Sequence, residues 1–117
     1  MDFEWTAEQI ALRAQARAVA ADAVERFGRH NDSWINGFSK EFAVEMAGLG
    51  WIGMTWPTEF GGGGQPAINR LIIGEELIAA GAPIAAMWFA DRQMGPTLIN
   101  YGTADQQAEF LPGILSG

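Results

Sequence analysis

Pro66-Ala67-Ile68-Asn69-Arg70-Leu71-Ile72-Ile73-Gly74-Glu75-Glu76-Leu77-Ile78-Ala79-Ala80-Gly81 is the stretch on which the fold turns. Proline suits the first turn of a helix, where its missing N–H has no partner to lose. Ile68, Leu71, Ile72, Ile73, Leu77 and Ile78 then lie almost all round the helix rather than along one stripe, which places it at the centre of other elements. Gly81 and Pro83 turn the chain away. Two acids interrupt this apolar surface. Neighbouring helical positions point roughly 100° apart, so Glu75 and Glu76 cannot both face water on a central helix. A buried carboxylate with a raised pKa is a general base. More commonly it is paired, here with Arg70, Arg92 or His30, or caps a backbone group, and that structural role is the expectation.

Working outward, the segment before Pro66 carries four glycines, Gly61 to Gly64. Backbone amides at a helix N-terminus can hold phosphate. No Lys-Ser/Thr pair follows and no clear strand precedes, so the run reads as a tight turn. Upstream of it, Ser39 caps a helix reaching about Leu49, with Phe42, Met46 and Leu49 as its apolar stripe. Arg29 to Phe38 reads as loop. The first helix opens with the capping box Thr6/Gln9, with Trp5 and Ile10 placed as a hydrophobic staple. Leu12, Ala16, Val19, Ala20, Ala23 and Phe27 follow at helical spacing, and Gly28 stops it. Downstream, a fourth helix covers about Ile84 to Asn100, kinked near Gly95-Pro96. A second capping box, Thr103/Gln106, opens a fifth helix through Phe110 and Leu111, closed by Pro112-Gly113. With no strand or internal repeat, the reading is all-α: an up-down or orthogonal bundle of about five helices, residues 1–117 forming one domain.

Composition excludes several classes. Fourteen acidic against seven basic residues give a net charge of −7, which argues against nucleic acid and against anionic lipid. No cysteine is present, so disulfides, thiolate metal sites and cysteine nucleophiles are out. One histidine cannot make a metal site alone, and no metal is expected. The uncharged run from Leu77 to Ala90 is too short to cross a bilayer. Asp2, Glu4 and Glu8 suit neither a secretory signal nor a transit segment, so a cytoplasmic location is expected.

No catalytic set can be assembled. His30 lies among Asn31 and Asp32 and reads as a locally bonded loop residue. Trp51, Trp56 and Trp88 read as core, whereas Trp5 and Trp34 flank helices and could help bury a partner surface. Met87, Trp88, Phe89 and Met94 form a large, soft apolar stripe. Such a stripe is either core packing or one wall of an apolar cleft.

Three stretches together resemble the acyl-CoA dehydrogenase family. Leu49-Gly50-Trp51-Ile52-Gly53-Met54-Thr55-Trp56-Pro57-Thr58-Glu59-Phe60-Gly61-Gly62-Gly63-Gly64 is similar to the family's run of Leu-Gly, aliphatic residues, Pro, an acid, an aromatic residue and Gly-Gly-x-Gly. Gly74-Glu75-Glu76-Leu77 is similar to its Glu-Glu-Leu. Gly102-Thr103-Ala104-Asp105-Gln106-Gln107, with Phe110-Leu111-Pro112 and Ser116-Gly117, looks like the end of its N-terminal domain. The resemblance implies an α–β–α enzyme in which FAD accepts hydride from an acyl-CoA thioester, giving a 2-enoyl-CoA. It implies that the β- and C-terminal helical domains and the catalytic glutamate lie beyond Gly117, that FAD is not held by this segment alone, and that the whole is a homo-oligomer, dimer or tetramer. Ala86, Met87, Phe89, Ala90 and Met94 are, by position, its candidates for lining the acyl cavity; no catalytic or cofactor-binding residue can be matched. The alternative is a non-catalytic helical interaction module or truncated paralogue pairing with a complete dehydrogenase.

Overall fold

A computed structural model describes residues 2–117. The chain is all-helical: α1 (Ala7–Phe27), α2 (Ser33–Asn36), α3 (Lys40–Gly48), a 3-10 turn (Thr58–Phe60), α4 (Ala67–Ala80), α5 (Ala85–Phe89), a π-helical turn (Ala90–Met94), α6 (Gly95–Tyr101) and α7 (Ala104–Leu115). They form a slab of 38 × 38 × 21 Å, about two helix diameters thick. A body that thin leaves much apolar surface at its faces. Phe38, Leu49, Leu71, Phe89, Tyr101 and Phe110 are all exposed.

Both capping boxes form as the spacing requires. The Thr6 hydroxyl accepts from the Gln9 amide and the Gln9 side chain accepts from the Thr6 amide, and the same reciprocal pair joins Thr103 and Gln106. The staple is looser than expected. Trp5 and Ile10 are exposed, and the Trp5 ring lies instead beneath the Arg13 guanidinium, 4.8 Å from its centroid. α1 packs chiefly on α4. Its facing stripe is Ala16, Ala20 and Ala23, none more than 1% exposed. Small side chains let the two helices approach closely, and Ile73 and Leu77 of α4 fill the space between. Burying each of those side chains contributes about 1.5–3 kcal/mol.

Three boundaries differ from the sequence reading. The Arg29–Phe38 loop contains α2, and Phe38 makes a single antiparallel bridge to Ile84. The expected kink near Gly95-Pro96 is realised just upstream. Pro96 has no N–H for the carbonyl four residues before it, and the Gly95 amide reaches five back to Ala90 O, closing a π turn. Pro112 does not close the last helix, which runs on to Leu115. The carbonyl it leaves without a partner belongs to Ala108, which is exposed and open to water. α4 is also less enclosed than its composition implied: Ile72, Ile73, Gly74, Glu76 and Leu77 are buried, but Leu71 and Glu75 face outward.

Candidate functional site

α5 and the π turn present three different faces, because successive side chains point in different directions round the helix. On one face Ala86 and Ala90, four residues apart, form a flat floor beside Met87. Phe38, Ala43 and Ile114 complete an apolar groove of about 220 Å³. The only charged residue at its rim is Lys40, whose ammonium donates to the Gly117 carbonyl. On the second face Ala86 and Phe89 meet Trp34 and Ile35 of α2 around a shallower apolar hollow of about 340 Å³. On the third face Trp88 and Arg92 turn toward α4. The Arg92 guanidinium lies 3.6 Å from the Trp88 ring centroid, a cation–π contact.

The five candidate wall residues therefore divide. Ala86, Met87 and Ala90 come together in the groove, while Phe89 stands half-exposed in the neighbouring hollow. Met94, at the end of the π turn, lines neither and is exposed. Met87 is the one large member that is buried. Of the tryptophans read as core, Trp51 and Trp56 are buried and Trp88 is half-buried, its ring 6.5 Å from the Trp34 ring. Trp34 and Ile35, not among the sequence candidates, line that hollow with Phe89. The only local signal for α2 is Asp32-Ser33 ahead of an apolar pair, and Asp32 makes no side-chain cap.

Glu76 is the buried member of the acidic pair, and its partners are not those expected. Arg17 grips both carboxylate oxygens through Nε and Nη2, each at 3.0 Å, and Arg13 Nη1 adds a third bond at 3.0 Å. Glu75 stays exposed and bonds Arg13 Nη2. The pairing with Arg70, Arg92 or His30 fails because α1, not the α4 neighbourhood, supplies the cations. Arg17's hydrogen bonds, with help from Arg13, hold the Glu76 carboxyl below the usual carboxylate range against the opposing effect of burial. A carboxylate so gripped is a structural clasp and not a base.

The four glycines bind no anion with their amides, which point inward. Gly62 N–H donates to Pro57 O, Gly63 to Gly53 O and Gly64 to Trp56 O. A Cβ on Gly62 would overlap the Trp56 carbonyl. The turn this folds up is pinned from α5's side. Gly53 N–H donates to Asp91 Oδ1 at 2.6 Å, and the Trp56 indole donates to Asp91 O at 2.9 Å. Asp91 is buried beside a small recess among Met54, Ile73, Leu77 and Met87. Burial pushes its carboxyl upward, partly offset by the Gly53 amide and by the charges of Arg70 and Arg92. His30 is half-buried, with its ring against Gly37, where a Cβ would come within 2.7 Å of Cγ. Among the described residues no group of His, Asp and Glu could hold a metal, and no helix is long and apolar enough to cross a membrane.

A helical slab with an acid-clasped central helix and an apolar groove along α5 defines a class. The chain belongs to the acyl-CoA dehydrogenase N-terminal domain family, whose model matches residues 6–117. Among individual relatives, acyl-CoA dehydrogenase FadE26 of Mycobacterium tuberculosis is 32% identical over all of this chain, and acyl-CoA dehydrogenase IpdE1 of Mycolicibacterium smegmatis is 46% identical over 62% of it. The chain spans 30% and 18% of those two proteins. Among solved structures, the Tcur3481–Tcur3483 steroid ACAD superimposes with a TM-score of 0.80 at 32% identity, over 99% of this chain and 30% of that one. The ChsE4–ChsE5 complex from Mycobacterium tuberculosis gives 0.79 at 31% identity, over 99% of this chain and 29% of that one.

Proposed function

We propose that residues 1–117 form the N-terminal wall domain of an FAD-dependent acyl-CoA dehydrogenase, and that its groove shapes the cavity for the acyl group. The observation that carries this is the clustering of Ala86, Met87 and Ala90 on one open apolar groove, with Phe89 at its shoulder. An apolar surface of this kind gains by being covered, and an acyl group enclosed between it and protein beyond Gly117 would exclude water from the reacting thioester. The one charged side chain on the groove, Lys40, already donates to the Gly117 carbonyl, and no residue here is assigned to FAD. That cofactor, held elsewhere, would accept the β-hydride. This chain would contribute shape and exclusion of water rather than chemistry.

Small residues at Ala43, Ala86, Ala90 and Gly117 leave the groove broad. Together with the likeness to the Tcur3481–Tcur3483 steroid ACAD, this favours a ring-bearing acyl-CoA over a slim straight chain. The protein would work as an assembly with further dehydrogenase chains, alike or different. In the complete dehydrogenase carrying this domain, Ala86→Leu, which narrows the groove at an exposed position, is expected to change the relative kcat/KM between ring-bearing and straight-chain acyl-CoA substrates by about tenfold, with a smaller change in kcat on the preferred one. Unchanged selectivity across such a series removes this face from the acyl cavity.

A further inference from the structure

The third face of the α5 segment carries a feature that the acyl groove does not use. Arg70 of α4 and Arg92 of the π turn line the same recess, beside Asp91. The other arginines of the helical pairings are neutralised within the chain: Arg13 and Arg17 on Glu76, Arg26 on Glu45 and Asp22. Among the described residues no carboxylate comes within 4.0 Å of either Arg70 or Arg92. The chain has 14 acidic residues for 7 basic ones, so a shortage of acids is not the reason.

The nearest acid, Asp91, points Oδ1 at the Gly53 amide instead. Arg70 makes only one long bond, Nη1 to Thr55 Oγ1 at 3.3 Å. Arg92 is held flat by its surroundings. Its guanidinium covers Trp88, and its Nη2 passes so close to Gly74 that a Cβ there would lie 2.7 Å away. Two cations and one anion thus meet at a recess of about 30 Å³, leaving one positive charge in excess. Burial and the neighbouring Arg70 charge both disfavour the Arg92 cation. An arriving anion would relieve that repulsion.

We propose that Arg70 and Arg92 form a binding site for one oxyanion, a carboxylate or phosphate group, received between α4 and the π turn. A guanidinium fork bonds either group in bidentate fashion. Stacking on Trp88 fixes the plane of one fork in advance, so less freedom is lost on binding. The recess is too small for a whole ligand; it would admit an oxygen of the anion while the rest of the molecule stays outside. The site is independent of the dehydrogenase reading, since neither arginine lines the acyl groove, which the recess adjoins only through Ile52 and Met87.

The test follows arginine Nε–Hε resonances of the 117-residue chain by NMR, at constant ionic strength. Inorganic phosphate is titrated in one arm and acetate in the other. Saturable shifts at Arg70 and Arg92, absent at the exposed Arg29, are expected with at least one anion, and the arm that saturates identifies the group. Arg92→Lys keeps the charge but loses the fork, and Arg70→Gln removes one cation; each should weaken binding by about tenfold. Non-saturating shifts, shifts equal to those at Arg29, or affinity unchanged in the variants would overturn the site. If Arg70→Gln does not fold, the wild-type saturation and Arg92→Lys decide.

Discussion

Glu76 and Asp91 are equally hidden, 8% and 7% exposed, yet their surroundings drive them in opposite directions. Glu76 of α4 faces α1, which brings it three guanidinium hydrogen bonds, and its carboxyl is held down. Asp91 lies in a recess with one amide donor and two arginines that make no salt bridge with it, and its carboxyl is pushed up by burial. Burial opposes the charge in both. The outcome is decided by whether the opposing charge arrives as a hydrogen-bonding partner or only as a neighbour. The first arrangement locks α1 to α4. The second ties the glycine-rich turn to the segment that carries the groove, and leaves charge over at Arg70 and Arg92.

The largest expected effect breaks the Asp91 side alone. A Cβ at Gly95 would overlap Cζ2 of Trp56, whose indole is fixed to the Asp91 carbonyl. Gly95→Ala should therefore lower the urea unfolding free energy by about 3 kcal/mol, as overpacking of a rigid neighbour does. A loss below about 1 kcal/mol would mean that Trp56 yields easily, and that this tie is slack.

Glu76→Gln attacks the other side, with a smaller loss of about 2 kcal/mol at neutral pH, the range for hydrogen bonds to charged groups. Because the folded-state pKa of Glu76 is depressed, its contribution is complete above the ordinary value of 4.5 and disappears as pH falls through the folded value. The gap between wild type and variant should thus close in thermal melts taken below pH 4.5. A gap that persists in acid would assign the loss to packing instead of charge.

Asp91→Asn should have the smallest effect, within about 1 kcal/mol at neutral pH, since an amide oxygen can still accept from Gly53. Its pH dependence is the sharper test. A carboxyl raised on folding takes up its proton earlier in the native state, so the wild type gains stability as pH falls through the folded value toward the ordinary 3.8. The Asn variant should lack that gain, giving a slope of opposite sign to that of Glu76. Identical pH profiles for wild type and Asn variant would refute the contrast between the two acids.

Much of this was legible residue by residue. Thr6/Gln9 and Thr103/Gln106 announce their helices because a capping box closes within four residues and depends on nothing farther away. The apolar stretch of α4 and the helical periodicity of α1 mark both as packed helices, but that they pack on each other is read only from the structure. Ala86, Met87 and Ala90 could be singled out together only through the resemblance, because apolar residues at helical spacing read equally as core; the structure gathers them in one groove. Met94 falls outside the groove that gathers Ala86, Met87 and Ala90, at the end of a π turn that a regular helical spacing does not announce, and α2, with Trp34 and Ile35, is too short at four residues to give a periodic signal.

By itself the amino-acid sequence determined the helical class, the starts of the capped helices and the family, since these rest on local hydrogen bonds and on the order of short motifs. The tertiary structure alone decided which acid is buried, which arginines hold it and which are left without a carboxylate. Arg17 and Glu76 are 59 residues apart, and Gly53 and Asp91 are 38 apart. Contacts of that span follow from how the helices stack, and hydrophobic burial, which drives the stacking, has no directional preference that a motif could record.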